Sequence, residues 1–331
     1  MITLLPDTLK EIIAEARLAP SVHNVQPSRW RPAGDQVLLL GDTSRAIPVA
    51  DPVGRDWRLS HGAHFEGLAM ALARRGAQAV ALSLRLEQPL SGALIEVAQF
   101  ALASCAEAST AEPVDGRASW RGSFKPVDEA THAGLARLAG ERDDITLVTD
   151  RGDISHAARM ADRATLHFLR DGHHRAELLA WMRLSRRHPG YHRDGLNAEA
   201  MCLSPVEAWG AGLVLGPLFR SLDSIGIAAP LVRESAKTSS AAAIVLFHRP
   251  GGEDPFVSGR AFYRAWLAME RCGLKGCPMS VLADWDESRN ALAQRHAVPA
   301  DRQIVSVFRV GRPDGTPGRT HARLPVEELI I

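Results

Sequence analysis

Long apolar runs are missing from this chain. None approaches the roughly 18–20 residues that a helix needs to cross a bilayer, so no membrane-spanning helix is expected. The opening Met1-Ile2-Thr3-Leu4-Leu5-Pro6-Asp7 has neither a basic n-region nor a long apolar h-region. No secretory signal is expected, and the cytoplasm is the expected compartment. Cysteine is scarce: Cys105, Cys202, Cys272 and Cys277 are the four in 331 residues, too few for a disulfide framework. Cys272 and Cys277 have no second Cys or His pair at zinc-finger spacing. An excess of one charge is also missing, since the formal net charge is +1, which removes any bulk electrostatic case for nucleic acid or an anionic membrane. What remains is 46% hydrophobic and 23% charged residues, the composition of a soluble globular protein with one large domain or two ordinary ones.

The most informative stretch is Leu18-Ala19-Pro20-Ser21-Val22-His23-Asn24-Val25-Gln26-Pro27-Ser28-Arg29-Trp30. It follows a helix predicted over 7–18, with Leu9, Ile12, Ile13 and Ala16 on one side, and precedes a strand near 36–41. Pro20 and Pro27 remove two backbone donors and fix φ, so the spacing predicts an extended loop over 19–30. Ser21, His23, Asn24 and Gln26 supply hydroxyl, imidazole and amide groups but no carboxylate. That set suits a polar, uncharged ring. An ordinary turn after a helix would also use these residue types.

Down the chain, the pattern predicts a helix over 57–75 with Gly76 as its C′ residue, and strands over 79–86 and 93–103. The small, polar stretch 106–116 reads as a boundary. Beyond it come a helix over 127–140, a strand over 145–148, helices over 153–171 and 177–184, a buried strand over 241–247 and a helix over 258–272. Trp266 and Met269 in that last helix read as core. A loop at 275–280, a helix over 283–294 and a strand over 304–310 complete the list. The expected domains are therefore 1–110 and 111–331. Gly210-Ala211-Gly212 to Gly216 lacks the strand, turn and helix of a dinucleotide fingerprint and reads as a helix-to-loop stretch.

Three further clusters bear on chemistry. Arg117 and Arg121, four apart with Ser119 between them, could share a helical face and meet a phosphate, or could be two solvated arginines. The basic turn from Arg186 to Arg193 could cover an anionic ligand or be a solvated connection. The tail carries Arg319, His321 and Arg323 before Leu324-Pro325-Val326-Glu327-Glu328, a basic run with the same two readings.

Ala-Pro-Ser-x-x-Asn-x-Gln-Pro followed by an aromatic residue resembles the signature loop of the nitroreductase-like FMN proteins. His23 before the Asn, and the partition of the chain, resemble the Acg-type branch, in which two nitroreductase-like halves are fused and the first is degenerate. The resemblance implies an α+β fold of two tandem halves packed as an intrachain pseudo-dimer, with mainly antiparallel sheets flanked by helices. It implies FMN as cofactor, NAD(P)H as donor and an electron-poor small molecule as acceptor. By the same correspondence, Pro20, Ser21, His23, Asn24 and Gln26 contact the flavin. Arg117, Ser119 and Arg121 match the family's opening motif for phosphate and ring edge, and Pro278, Met279 and Ser280 line the ring. Arg323, with Arg319 and His321, grips the phosphate; His321 departs from the family's Lys. Because each motif occurs once, one FMN per chain is expected, with no metal and no acid–base side chain required for hydride transfer.

Alternatives stay open at this point. An FMN-sequestering protein with a closed lid and little turnover fits the same motifs. A metal hydrolase would use His61, His64, His173, His174, His188 and His192, and Cys277 could be a nucleophile with no sequence-local base. Pairing of whole chains into a homodimer is a further open arrangement.

Overall fold

A computed structural model describes residues 5–91, 93–105, 114–316 and 322–331. The expected boundary at 106–116 falls largely outside them, as do Arg319 and His321.

Helix α1 (Pro6–Ala16) starts with proline in its first turn and buries Leu9, Ile12, Ile13 and Ala16, the predicted stripe. Strands β1 (Ser28–Ala33) and β2 (Gln36–Asp42), helix α2 (Arg55–Ala73), and strands β3 (Ala77–Ser91) and β4 (Leu94–Ser104) follow. The four strands form one antiparallel sheet in the order β1-β2-β4-β3.

The rest of the chain supplies α3 (Glu129–Glu141), β5 (Ile145–Val148), α4 (Arg151–Arg170), α5 (Gly172–Trp181), β6 (Met182–Arg183) and β7 (Leu196–Asn197). Next come α6 (Pro205–Leu215), α7 (Phe219–Ser224), α8 (Ala228–Val232), α9 (Ser235–Ser239), β8 (Ala243–Pro250) and α10 (Pro255–Arg271). The chain continues with β9 (Lys275–Pro278), α11 (Val281–Asp284), α12 (Asp286–Arg295) and β10 (Arg302–Gly311). A second antiparallel sheet runs β5-β8-β10-β9. The class is α+β.

The two sheets share one topology. Each half runs strand, strand, long helix, strand, strand, and each places its fourth strand between the second and the third. The second half differs by the excursion from α4 to α9, inserted between its first two strands.

Helices α2 and α10 join the halves through reciprocal glycine contacts. A Cβ on Gly62 would lie 1.9 Å from the Phe256 carbonyl oxygen, and one on Gly259 would lie 2.0 Å from that of Leu59. Each glycine thus meets the residue three before the other, the pattern of an approximate twofold axis between the helices. Only the missing side chains allow this approach. Beside it, Phe65 packs on Phe256 with centroids 5.5 Å apart. Arg260 and Arg264 of α10 both bond the buried Glu66 carboxylate of α2.

The C-terminal segment returns to the first half. Trp30 N–H donates to the Leu329 carbonyl at 2.7 Å, and Ile331 N–H to the Trp30 carbonyl at 2.9 Å. Leu324 and Leu329 join Trp30, Phe65 and Phe100 in the first-half core. His61 and His64 are buried there too, with their Nδ1 atoms 2.7 and 2.8 Å from the Ser28 hydroxyl between them. Burial, then the neighbouring charges, lowers both imidazoles well below their ordinary value, His64 to about 3.

Two strands lie where the sequence predicts loops. Pro32 sits inside β1 and Pro278 ends β9, yet both strands are at sheet edges, where a missing N–H breaks no ladder. The helix predicted over 177–184 stops at Trp181, and the basic turn becomes the excursion between the paired β6 and β7. The glycine run from 210 lies in α6, whose Ser204–Glu207 capping box marks a helix start with no dinucleotide turn. Among the described residues no helix is long and apolar enough to cross a membrane.

Gly62→Ala should destabilise the fold by about 1–3 kcal/mol or more, the usual cost of overpacking, because the new methyl meets backbone. Urea denaturation checks this, and a variant as stable as the parent would contradict the close helix crossing.

Candidate functional site

The loop before β1 is built from unusual backbone. His23, Asn24 and Gln26 have φ of +43°, +55° and +53°, a left-handed region that costs non-glycine residues energy. Side-chain bonds hold them there. Ser21 Oγ accepts from Gln26 N–H at 3.0 Å, and Ser60 Oγ of α2 accepts from Val22 N–H at 3.1 Å.

Asn24 Nδ2 donates to the carbonyls of Gly195 and Ala322, both at 3.1 Å, while its Oδ1 accepts from Arg323 at 2.9 Å. Gln26 Nε2 donates to the Arg193 carbonyl at 2.8 Å, and its Oε1 accepts from Leu324 N–H at 2.8 Å. Two amides therefore tie the loop to both the β6–β7 excursion and the tail. That excursion is further held by Asp194, which pairs with Arg45 at 3.1 Å and Arg183 at 2.8 Å. Arg121 donates to the Ala200 carbonyl at 3.2 Å.

These pieces enclose a cleft of about 1420 Å³, its solvent-facing part included. The loop contributes Pro20, Ser21, Val22, His23 and Asn24, and the N-terminal end of α2 contributes Arg55, Asp56 and Leu59. Residues 117–121 form another wall, aligned on β9 by the Trp120 N–H bond to the Gly276 carbonyl at 3.0 Å. Phe262 and Trp266, Pro278 and Ser280, Ser306 and Arg323 come from the second half. Gly195, Asn197 and Cys202 come from the excursion.

The cleft has a strongly cationic wall. Arg117 is 4% exposed; it donates to the Leu18 carbonyl at 3.0 Å and lies 4.6 Å over the Trp266 ring. Its Nε has no partner, and neither has Trp266 Nε1. Arg323 donates to the carbonyls of Arg17 and Leu18 at 2.6 and 3.0 Å. Among the described residues neither Arg117 nor Arg323 bonds a carboxylate. Desolvation lowers both; with Arg117 and Arg17 as neighbours, Arg323 comes down to about 9 and keeps its charge at neutral pH. Arg117 has the Glu270 carboxylate near it without a bond to it. Arg323 bonds the carbonyls of Arg17, Leu18 and Ala322, with no carboxylate among the charges that act on it. A buried cation so placed is arranged to receive an anion. The imidazole of His23 is lowered to about 4, chiefly by burial and then by His174, so it stays neutral, and its Nδ1 has no partner.

Of the residues singled out from the sequence, Pro20, Ser21, His23, Asn24, Arg117, Ser119, Arg121, Pro278, Ser280 and Arg323 line one cleft. Gln26 does not; it stands behind the wall and clamps it. Met279 does not either. Its side chain packs in the core with Ile244 and Leu282, and its N–H is taken by the Val307 carbonyl at 2.7 Å. Cys277 is buried, its Sγ 3.6 Å from the Pro278 carbonyl, and it does not line the cleft. Trp266 is both core and wall. Arg55, Asp56, Asn197 and Ser306 were not singled out from the sequence; they come from a helix start, a two-residue strand and a strand interior, where no motif signals a site.

No protein-family model matches the chain. It is similar to two putative NAD(P)H nitroreductases of Mycobacterium tuberculosis. One is 37% identical over 81 residues, 24% of either chain. The other, called acg, is 36% identical over 73 residues, 22% of either. The similarity thus spans about a quarter of the length of these curated relatives. Among solved structures, the chain is similar to the FMN-dependent nitroreductase NfnB from Mycobacterium smegmatis in complex with NADPH. That match is 19% identical, covers 65% of this chain and 89% of that one, and has a TM-score of 0.34. A BluB-like flavoprotein from Clostridium difficile is 14% identical over 64% of this chain and 93% of that one, with a TM-score of 0.33.

Gln26→Ala should leave the buried Leu324 N–H and the Arg193 carbonyl without their partner, costing about 1–3 kcal/mol locally. Hydrogen exchange should accelerate at 193–195 and 322–324 ahead of the sheets. Unchanged protection at both segments would contradict the clamp.

Proposed function

We propose that the cleft holds one FMN per chain and that the protein is a nitroreductase-like oxidoreductase. Its donor is NAD(P)H and its acceptor an electron-poor small molecule. The halves 1–110 and 111–331 correspond to the two subunits of a nitroreductase-like pair. The observation that carries this reading is the cationic wall: Arg117 and Arg323 line the cleft, and neither bonds a carboxylate among the described residues. A phosphate monoester with a polyhydroxy chain is the ligand chemistry that such donors fit.

When bound, FMN supplies two-electron hydride chemistry between donor and acceptor. The chain's own groups bind, orient and exclude water. Arg117 and Arg323 hold the phosphate, with Arg121, Ser119 and, outside the described residues, Arg319 and His321 as further donors. The Ser21 hydroxyl, which accepts from Gln26 N–H, keeps its own proton to donate to the ring edge, while both Asn24 N–H groups are committed to carbonyls. In the 278–280 segment, Pro278 has no N–H and that of Met279 is bonded to Val307. Ser280 is therefore the residue of the three whose N–H can stabilise negative charge at the ring. A single site per chain accords with the uneven halves: the excursion from α4 to α9 belongs to only one of them.

One observation favours a second reading. The excursion that closes the cleft is latched at Asp194 by two arginines and at Asn24 and Gln26 by backbone bonds. A tightly latched cover suits an FMN-holding protein with little turnover. The rate at which NADPH or NADH bleaches bound flavin under anaerobic conditions separates the two: fast bleaching supports the oxidoreductase, and resistance supports storage.

Arg117→Ala and Arg323→Ala should each weaken FMN binding about tenfold or more, the worth of one or two charge-assisted hydrogen bonds. Flavin fluorescence titration measures this, with circular dichroism as the check on folding. Unchanged affinity in both folded variants would remove the phosphate assignment.

A further inference from the structure

The two arginines of the basic wall are not equivalent. Arg323 lies among carbonyls and cations, with no carboxylate among the charges that act on it. Arg117 has one such neighbour, Glu270, and the reading above gives that residue no part.

Glu270 stands on α10 one turn beyond Trp266, whose ring lies 4.6 Å from the Arg117 guanidinium. Its side chain is 4% exposed, and it does not line the cleft. Oε2 accepts from the Lys275 ammonium at the start of β9, and the same ammonium donates to the Gly116 carbonyl. A buried carboxylate is thereby tied, through one lysine, to the residue directly before Arg117. The wall runs on from this point, with Trp120 N–H bonded to the Gly276 carbonyl at 3.0 Å. Glu270 Oε1 is left over. Tyr263, Trp266 and Glu270 lie at i, i+3 and i+7, one stripe of α10. Among the described residues Tyr263 Oη, Trp266 Nε1 and Glu270 Oε1 have no partner, and Arg117 Nε has none either.

The electrostatics agree with that geometry. Burial pushes the Glu270 carboxyl up, while Lys275 and then Arg117 hold it down. Burial lowers Arg117, and Tyr263 and Glu270 oppose that. A carboxylate this deep is weakly screened, and it carries the same sign as a phosphate.

We propose that Glu270 is a positioning residue for phosphate binding. Through Lys275 it fixes the Gly116–Arg117 corner, and its charge holds back the pull of Arg117 on the ligand, so that Arg323 carries the larger part of the grip. The inference rests on the FMN reading, which supplies the phosphate.

The test compares FMN with riboflavin, which lacks the phosphate, by flavin fluorescence titration at pH 8 in phosphate-free buffer. The parent should prefer FMN. Glu270→Gln keeps the volume and an oxygen for Lys275 but removes the charge. It should bind FMN at least about threefold tighter, the scale of one like charge relieved at a distance, with riboflavin unchanged. Glu270→Asp keeps the charge and should show no such gain, and high salt should shrink the gain in the Gln variant. Unchanged or weaker FMN binding by folded Glu270→Gln overturns the inference, as does an equal change for riboflavin or for the Asp variant. A second measurement decides the matter where Glu270→Gln fails to fold. Arg323→Ala should lower the preference for FMN over riboflavin more than Arg117→Ala does, and an equal or reversed order overturns the inference. A parent that prefers FMN no more than riboflavin overturns the phosphate assignment itself, and the inference with it.

Discussion

The amides of Asn24 and Gln26 hold the cleft together. From one loop they reach two chain segments that are remote in sequence: the carbonyls of Arg193 and Gly195 in the β6–β7 excursion, and the tail, through the backbone at Ala322 and Leu324 and the guanidinium of Arg323. An amide can do this because it carries donor and acceptor on one rigid plane, so a single side chain satisfies two strands of backbone that could not bond each other. The cost is three non-glycine residues held at positive φ. Without this junction the tail would be held to the first half mainly by the Trp30 bonds to Leu329 and Ile331, and Arg323 would lose a carboxamide partner.

The junction also joins the halves, which meet as well through the Trp30 backbone bonds to the tail and along α2 and α10. There the contact is backbone against backbone, Gly62 on Phe256 and Gly259 on Leu59. Shared topology and reciprocal contacts describe a pair of like units, while the excursion from α4 to α9 and the returning tail belong to only one of them. That asymmetry leaves one cleft with loop, excursion, basic wall and tail in place.

Much of this was legible in the sequence, for identifiable reasons. Pro20, Pro27 and the polar side chains between them marked a loop because proline forbids the alternatives, and apolar spacing found α1, α2, α4 and α10. The strands β1 and β9 were not legible, since their prolines read as breakers until their edge positions are known. Met279 was placed at the cleft by adjacency to Pro278 and Ser280, but strand pairing with Val307 turns its side chain to the opposite face. Arg55 in the cleft wall bonds Asp284, 229 positions away, and no local pattern announces a contact of that kind.

The central claim is a single cofactor site made by a basic wall and an amide-held loop. Its most direct measurement is the ratio of FMN to chain in purified, flavin-reconstituted protein, from the flavin absorbance of released cofactor against protein concentration. One FMN per chain is the predicted result. A ratio of zero would contradict the cofactor reading, and a ratio of two would contradict the account of unequal halves.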